Sequence, residues 1–435
     1  MTLLLIVFGI TYALIATERV DKAIAALLGA AAVIFLGFLP YEEALHKVDL
    51  NVILLLVGMM MVVNILGKTG VFEWLAISMA QKAKGNGVAI LLMFLGATAF
   101  ISSLLDNVTT VLLMAPVTLL IAQLLEIPVA TFLILMAVAS NIGGTATLVG
   151  DPPNVLIGSA TGLTFNAFIE HLSPVIILMT ALFLLGIWIT QRQRFAVRSE
   201  LRMRIMTAQA RLAIIDAKLL KRSLCVLALI LLGFFTGHHY GIEPGLVAIA
   251  GAMLMALIGR VNLHQALEKV EWTTIFFFVG LFMLVGALEH NGIFTLLGQK
   301  IVHISGGNLH LTCQIILWAA AIVSAIVDNI PLVIALIPLL QSVIPEFAQS
   351  MGFANDPALT QQLIMEPLFW SLALGACLGG NGTLVGASAN VVICQIANRN
   401  HHKITFGHFT KLGLPVMFCT LAIASIYIWL RYFIL

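Results

Sequence analysis

A chain of 435 residues with 61% hydrophobic residues, 10% charged residues and a mean hydropathy of +1.07 is not built for water, since a soluble domain carries roughly 25% charged residues. A net charge of +2, with the basic residues in short loops, excludes a polyanion partner such as nucleic acid. Five cysteines (Cys225, Cys313, Cys377, Cys394, Cys419), an odd count without a CxxC spacing, exclude a full disulfide framework.

In chain order, the first apolar run, MTLLLIVFGITYALIA, lacks a basic n-region and is followed within a few positions by the next run. It reads as a spanning helix near 2 to 17 rather than a cleaved signal. Spans near 21 to 39 and 50 to 67 follow. The next stretch, 88 to 125, places Asp106-Asn107 at its middle. An ionised Asp in a helix at mid-bilayer costs several kcal/mol, whereas a non-helical tip is tolerated there when buried in protein or facing water. The stretch therefore reads as a re-entrant hairpin. Spans near 130 to 150 and 173 to 190 complete this half.

Residues 191 to 222, QRQRFAVRSELRMRIMTAQARLAIIDAKLLKR, carry nine Lys or Arg against two acids and read as a basic linker. Beyond it come spans near 223 to 240, 245 to 259 and 272 to 289, a second hairpin at 309 to 345 around Asp328-Asn329, and spans near 366 to 386 and 413 to 433.

The two halves match each other. VDLNVILLLVGMMMVVNILGKTGVF from Val48 aligns with VEWTTIFFFVGLFMLVGALEHNGIF from Val270, an offset of 222 that also carries Asp106-Asn107 onto Asp328-Asn329 and Pro116 onto Pro338. After a slip of 14, GGTATLVGDPPNVL from Gly143 matches GGNGTLVGASANVV from Gly379. An odd number of crossings per half, five each, places the second copy upside down. The fold class expected is thus an all-α integral membrane protein of two inverted repeats, 1–190 and 223–435, each with five spans, a hairpin and a broken helix, joined by a cytoplasmic linker, 191–222. With the linker inside, 19 Lys and Arg fall on that side, Arg19 among them, against three (Lys47, Lys300, Arg431) outside, as the positive-inside rule requires. Both termini then lie outside, and an inner, cytoplasmic membrane is the expected location.

Four polar stretches fall at membrane depth: Ser102 to Thr110, Ser140 to Asn154, Ser324 to Pro331 and Gly379 to Asn390. The paired glycines Gly143-Gly144 and Gly379-Gly380 interrupt a helix and free backbone groups whose partial charges can face a substrate or ion. Asn107, Thr145, Thr147, Asn329, Asn381 and Thr383 would complete a shell of neutral oxygens and amides. Small residues of this kind also serve packing and capping. An intramembrane acid, by contrast, is a functional site by default, which singles out the equivalent pair Asp106 and Asp328. Asp151 has no such counterpart, because Ala387 takes its place, and turn chemistry before Pro152-Pro153 would account for it. It stands as a further candidate beside Asn154, Asn390 and Cys377. The eleven histidines show no zinc spacing, so no metal centre is expected. No Lys or Arg falls in these stretches, which argues against an anion held by direct charge pairing and suits a cation, a proton or a small neutral solute. No nucleophile–base pair or phosphate loop points to an enzyme.

At DNVTTVLLMAPV, NIGGTATLVGDPPN, DNIPLVIALIP and LGGNGTLVGASAN the chain resembles the ion transporter superfamily, and within it the arsenite permease and melanosomal P protein branch. The resemblance spans nearly the whole chain. It implies exchange of arsenite or antimonite for protons, with Asn107, Thr109, Thr145, Thr147, Asn329, Asn381 and Thr383 lining the central site and Asp106 and Asp328 coupling transport to protons. Sodium/proton antiporters are more distant relatives and make sodium the alternative coupling ion. Divalent-anion:sodium symporters share the architecture but carry Ser-Asn-Thr where this chain has Asp106-Asn107-Val108-Thr109 and Asp328-Asn329-Ile330-Pro331, a departure that argues against a dicarboxylate. The expected function is proton-coupled efflux of a small inorganic solute without a cofactor, with the basic linker available to anionic lipid or to a soluble ATPase partner.

Overall fold

The structure, a computed structural model, describes residues 1–17, 20–207, 209–304 and 306–434, and among these it is entirely helical. Arg19 lies outside the described residues. The first half comprises α1 (Thr2–Thr17), α2 (Lys22–Phe35), α3 (Tyr41–His46), α4 (Leu50–Gly67), α5 (Val71–Lys82), α6 (Gly87–Leu104), α7 (Asn107–Leu124), α8 (Val129–Gly144), α9 (Pro152–Thr161) and α10 (Phe165–Gln191). The linker holds α11 (Ser199–Met206). The second half comprises α12 (Ala217–Thr236), α13 (Pro244–Gly259), α14 (Leu263–Glu268), α15 (Trp272–His290), α16 (Ile293–Ile304), α17 (Leu309–Ser324), α18 (Asn329–Ser350), α19 (Pro357–Thr360), α20 (Glu366–Gly379), α21 (Ser388–Arg399) and α22 (Phe406–Phe433).

The helix starts follow the sequence match. Lys22, Tyr41, Leu50, Val71, Gly87 and Asn107 open α2 to α7, and the residues 222 positions later, Pro244, Leu263, Trp272, Ile293, Leu309 and Asn329, open α13 to α18. Local chemistry sets several of these starts. Asn86 and Asn308 cap α6 and α17 by accepting backbone N–H bonds, and Asp49 does so for α4. Helix packing repeats as well. A Cβ on Gly58 of α4 would lie 2.6 Å from the backbone of Ala248 in α13, and one on Gly280 of α15 would lie 2.7 Å from the backbone of Ala26 in α2, so equivalent glycines let equivalent helix pairs approach.

Contacts with the linker define one face. Ile215 N–H donates to the carbonyl of Thr69 (2.9 Å), Lys68 Nζ donates to Gln265 Oε1 of α14 (3.3 Å), and Gly87 at the start of α6 packs on the carbonyl of Phe195. Phe94, Phe132 and Phe195 stack edge to face and pin the linker to α6 and α8. The α6–α7 hairpin has its ends on this face. The α17–α18 hairpin has its ends on the opposite one, where Gly298 of α16 packs on Ser342 and Gln341 donates to the carbonyl of Ala160 (3.1 Å).

Nine helices among the described residues are long and apolar enough to cross a membrane, and α1, α2, α8, α13 and α17 are shorter apolar helices. The expected spans need several corrections. Those near 130 to 150 and 366 to 386 end as helices at Gly144 and Gly379, because the glycine pairs stop them. The span near 173 to 190 starts at Phe165, behind the cap of Thr164, and the last span starts at Phe406, behind Thr405. The span near 223 to 240 starts at Ala217, since Asp216 caps it inside the basic linker. The second hairpin runs on to Ser350. The short helices α3, α5, α14 and α16 were not read from hydropathy.

Candidate substrate and ion site

Each broken helix is held open by one asparagine. Asn154 at the start of α9 donates through Nδ2 to the carbonyls of Thr145 (3.1 Å) and Thr147 (2.8 Å), and Asn390 in α21 donates to those of Gly380 (2.8 Å) and Thr383 (2.9 Å). These bonds satisfy carbonyls that the break has freed, a requirement in an interior without water. The glycines give the loops room. A Cβ on Gly144 would meet the carbonyl of Gly150 at 2.5 Å, and one on Gly380 that of Gly386 at 2.8 Å, while Gly143 and Gly379 pack directly on Ala99 of α6 and Ala321 of α17.

Threonines tie each loop to the neighbouring hairpin tip. Thr147 Oγ1 donates to the carbonyl of Ser103 (2.5 Å) and Thr383 Oγ1 to that of Ala325 (2.5 Å). Thr145 Oγ1 bonds the carbonyl of Asn141 in its own helix (2.8 Å). Of the expected threonine shell, these three are committed to backbone. Thr109 is committed to Asp106, to which it donates both its backbone N–H (2.9 Å) and its hydroxyl.

At the centre, side-chain amides form a chain across the halves. Asn107 Nδ2 donates to Asn141 Oδ1 (3.3 Å), and Asn141 Nδ2 donates to Asn381 Oδ1 (3.1 Å) and Asn390 Oδ1 (3.0 Å). Cys377, which stands where the second half would repeat Asn141, is fully buried with Sγ 3.6 Å from Asn154 Oδ1. Asn107 Oδ1 and Asn381 Nδ2 are buried without partners.

Beside this chain lies a small chamber of about 20 Å³, room for one water-sized ligand, lined by Asp106, Asn107, Asp151, Glu271, Asn329 and Ser388 among others. Asp151 is 1% exposed. Its Oδ1 accepts from Asn329 Nδ2 at 3.3 Å, and its Oδ2 has no partner. The first half supplies Asp106, Asn107 and Asp151 and the second half Glu271, Asn329 and Ser388, so the chamber exists only where the halves meet.

The chamber adjoins a vestibule of about 710 Å³ lined by Asp21, Lys22, Glu271, Thr274, Asp328 and Ser388 among others. Glu271 follows α14, so the vestibule opens on the linker face. The four polar stretches hold no basic residue, but the fold brings one to them: Lys22, from the start of α2, lies 3.2 Å from Asp328 Oδ2 and 3.0 Å from Ser388 Oγ, and Ser388 Oγ donates to Asp328 Oδ2 at 2.8 Å. Asp106 and Asp328, expected as matched partners, thus differ, one a buried helix cap and the other half of an ion pair. The matching region on the opposite face holds only about 140 Å³ and is crossed by Asn51, whose Nδ2 donates to Ser159 Oγ (3.2 Å) and whose Oδ1 accepts from Gly245 N–H (2.7 Å).

Sequence reasoning missed Lys22, Asn141, Glu271, Thr274 and Ser388. Asn141 sits inside the motif that flagged its neighbours. Glu271 is the 222-residue counterpart of Asp49, so two matched acids at helix starts were there to be read.

A family of citrate transporters, compared as a whole, matches residues 12–375 of this chain. The chain belongs to the citrate transporter family. Full-length relatives of this family member include the 46 kDa membrane protein of Mycobacterium leprae, 42% identical over 99% of this chain and 98% of that one, and an uncharacterized transporter of Synechocystis, 33% identical over 96% and 95%. The P protein of Sus scrofa is 30% identical over 98% of this chain and 59% of its own length, in keeping with the branch that the motifs resemble. Among solved structures, the Alcanivorax borkumensis YdaH transporter has the same fold, with a TM-score of 0.61 over 94% of this chain and 96% of that one at 16% identity. The chain is a multi-span membrane transporter and not an enzyme.

Proposed function

We propose that this transporter is a secondary carrier of two inverted repeats, 1–190 and 223–435, that takes a small solute from the linker face and couples its passage to protons through Asp106 and Asp151. The observation that carries this reading is the small chamber between the repeats, where the buried acids Asp106 and Asp151 and the half-buried Glu271 line one space with no basic side chain among the lining residues. Desolvated carboxylates of this kind bind a proton or a cation or remain costly. A vestibule of about 710 Å³ on one face against about 140 Å³ at the Asn51–Ser159 bond on the other is the asymmetry that an alternating-access cycle requires of one of its two end states. The linker face is the cytoplasmic side of an inner membrane on the positive-inside count, and the termini then lie outside.

For the solute we favour trivalent arsenic or antimony as the neutral hydroxide, carried outward. The vestibule sets Asp21, Glu271 and Asp328 against the single cation Lys22, and Lys22 is already paired, so the field repels a free anion. Hydroxyl groups would find the amides of Asn107 and Asn381. One observation favours a second reading: the family match, together with Lys22 and Ser388 at the entrance, suits a carboxylate anion whose charge a co-transported cation offsets. Sodium/proton exchange would use the same acids.

Proteoliposomes under an imposed pH gradient, challenged with arsenite, antimonite, sodium, lithium, citrate and succinate, separate these readings. Proton movement with arsenite or antimonite alone is the expected result. A response to sodium or lithium overturns the solute assignment in favour of cation exchange, and a response to citrate or succinate establishes the carboxylate reading.

A further inference from the structure

Asp106 and Asp328 open equivalent helices, and the residues around them differ at four places that all bear on charge. Where Thr109 gives Asp106 an N–H and a hydroxyl, the second repeat has Pro331, which has neither. Asp328 accordingly makes no cap bond to its own helix. It faces instead the hydroxyl of Ser388, the ammonium of Lys22 and, beyond the ammonium, the ring of Phe277, whose centroid lies 5.2 Å from Lys22 Nζ. The residues at the matching positions for Asp106 are Pro152, Pro244 and Leu55, which offer no hydroxyl, charge or aromatic face.

A carboxylate, a hydroxyl oxygen and an aromatic face make a donor set for a monovalent cation. Both oxygen donors lie within 3.2 Å of Lys22 Nζ. Asp328 Oδ1 is buried and unpartnered, so the set has an oxygen to spare for a smaller ion.

We infer that Lys22 is a tethered cation occupying a monovalent-cation site made by Asp328, Ser388 and Phe277, so that only the chamber at Asp106 and Asp151 is left for an exchangeable ion. The count of one exchangeable ion rests on the chamber reading above; the occupancy of the Asp328 site by Lys22 rests on its own geometry. A tethered ammonium keeps its local concentration whatever the surrounding salt, because covalent attachment makes its binding intramolecular. Replacing it with an uncharged side chain of similar length leaves a half-buried carboxylate that takes an ion from solution.

The test uses the full-length protein in detergent, with thermal unfolding followed in choline, sodium, lithium and methylammonium chloride at one ionic strength. Lys22→Met should unfold earlier than wild type in choline and regain roughly 2 °C or more in sodium, lithium or methylammonium, beyond any response of the wild type. Lys22→Arg should behave as wild type. Adding Asp328→Asn to Lys22→Met should abolish the recovery. A Lys22→Met protein that responds to the four salts as wild type does overturns the inference. So does one that cannot be purified in any of them, whether or not the double variant with Asp328→Asn purifies. Because the readout is binding and not transport, failure of metalloid-driven proton movement leaves this result intact.

Discussion

The two hairpin tips share the dipeptide Asp-Asn and a common place in their repeats, and they do different things. At the first tip Asp106 is 5% exposed, is held by Thr109 and faces the chamber that Asp151 completes. At the second, Asp328 borders the open vestibule and is held by Lys22 and Ser388 from α2 and α21. The matched helix starts of the two halves are the same, and the charges around them differ. Thr109 holds one acid to its own helix, and where Pro331 replaces it the other acid turns to Lys22 and Ser388, for which the first site has Pro244 and Pro152.

Removing the charge of Asp151 should have the largest effect. Asp151→Asn retains a side chain able to bond Asn329 and should lower coupled transport on the order of 100-fold with an unchanged unfolding temperature, the scale of a positioned proton carrier. Solute flux in proteoliposomes and thermal unfolding in detergent measure the two halves of that statement. Wild-type flux with Asp151→Asn would return Asp151 to the turn chemistry that Pro152 alone suggested.

The packing of the repeats predicts the opposite of a difference. Gly58→Ala and Gly280→Ala each drive a methyl into the backbone of a partner helix, and each should destabilise the protein by about 1–3 kcal/mol. Unequal unfolding temperatures for the two would break the matched packing of α4 on α13 and α15 on α2.

Asp106 should divide by substitution. Asp106→Ala loses the cap on α7 and should cost about 1 kcal/mol of stability, whereas Asp106→Asn keeps a capping oxygen and should cost less while still impairing coupling. Equal stability for both would mean that the cap contributes nothing.

The smallest effect is expected at a second matched pair of glycines. Gly292 has φ +71° and open space around its missing Cβ, so Gly292→Ala should cost only the left-handed strain, roughly 1 kcal/mol. Gly70, at φ +77°, packs on the carbonyl of Ala213 in the linker, and Gly70→Ala should cost more. Comparing their unfolding temperatures shows how firmly the linker is seated on the first repeat.

Much of this architecture was legible in the sequence because a repeat tests itself: an error in the first half has to recur at the same offset in the second. The hairpins were legible from one acid in the middle of an apolar stretch. The site was legible only as far as local motifs reach. Lys22 stands 306 positions from Asp328 and at the end of an unremarked span, and only packing of α2 beside α15 brings the two together. Asp151 reads in the sequence as one further candidate, without a matched partner because Ala387 takes the equivalent place, and only the fold sets it beside Asn329 of the other half. Thr145, Thr147 and Thr383 looked like ligands by type, but a broken helix must first satisfy its own backbone, and their hydroxyls are bonded to carbonyls.

The most direct test of the unequal tips compares Asp106→Asn, Asp151→Asn and Asp328→Asn in the same proteoliposomes, reading proton movement per solute moved under an imposed pH gradient. The account predicts that Asp106→Asn and Asp151→Asn lose proton coupling while Asp328→Asn, with Lys22 still present, keeps the wild-type ratio. Loss of coupling in Asp328→Asn with retention in Asp151→Asn would contradict it.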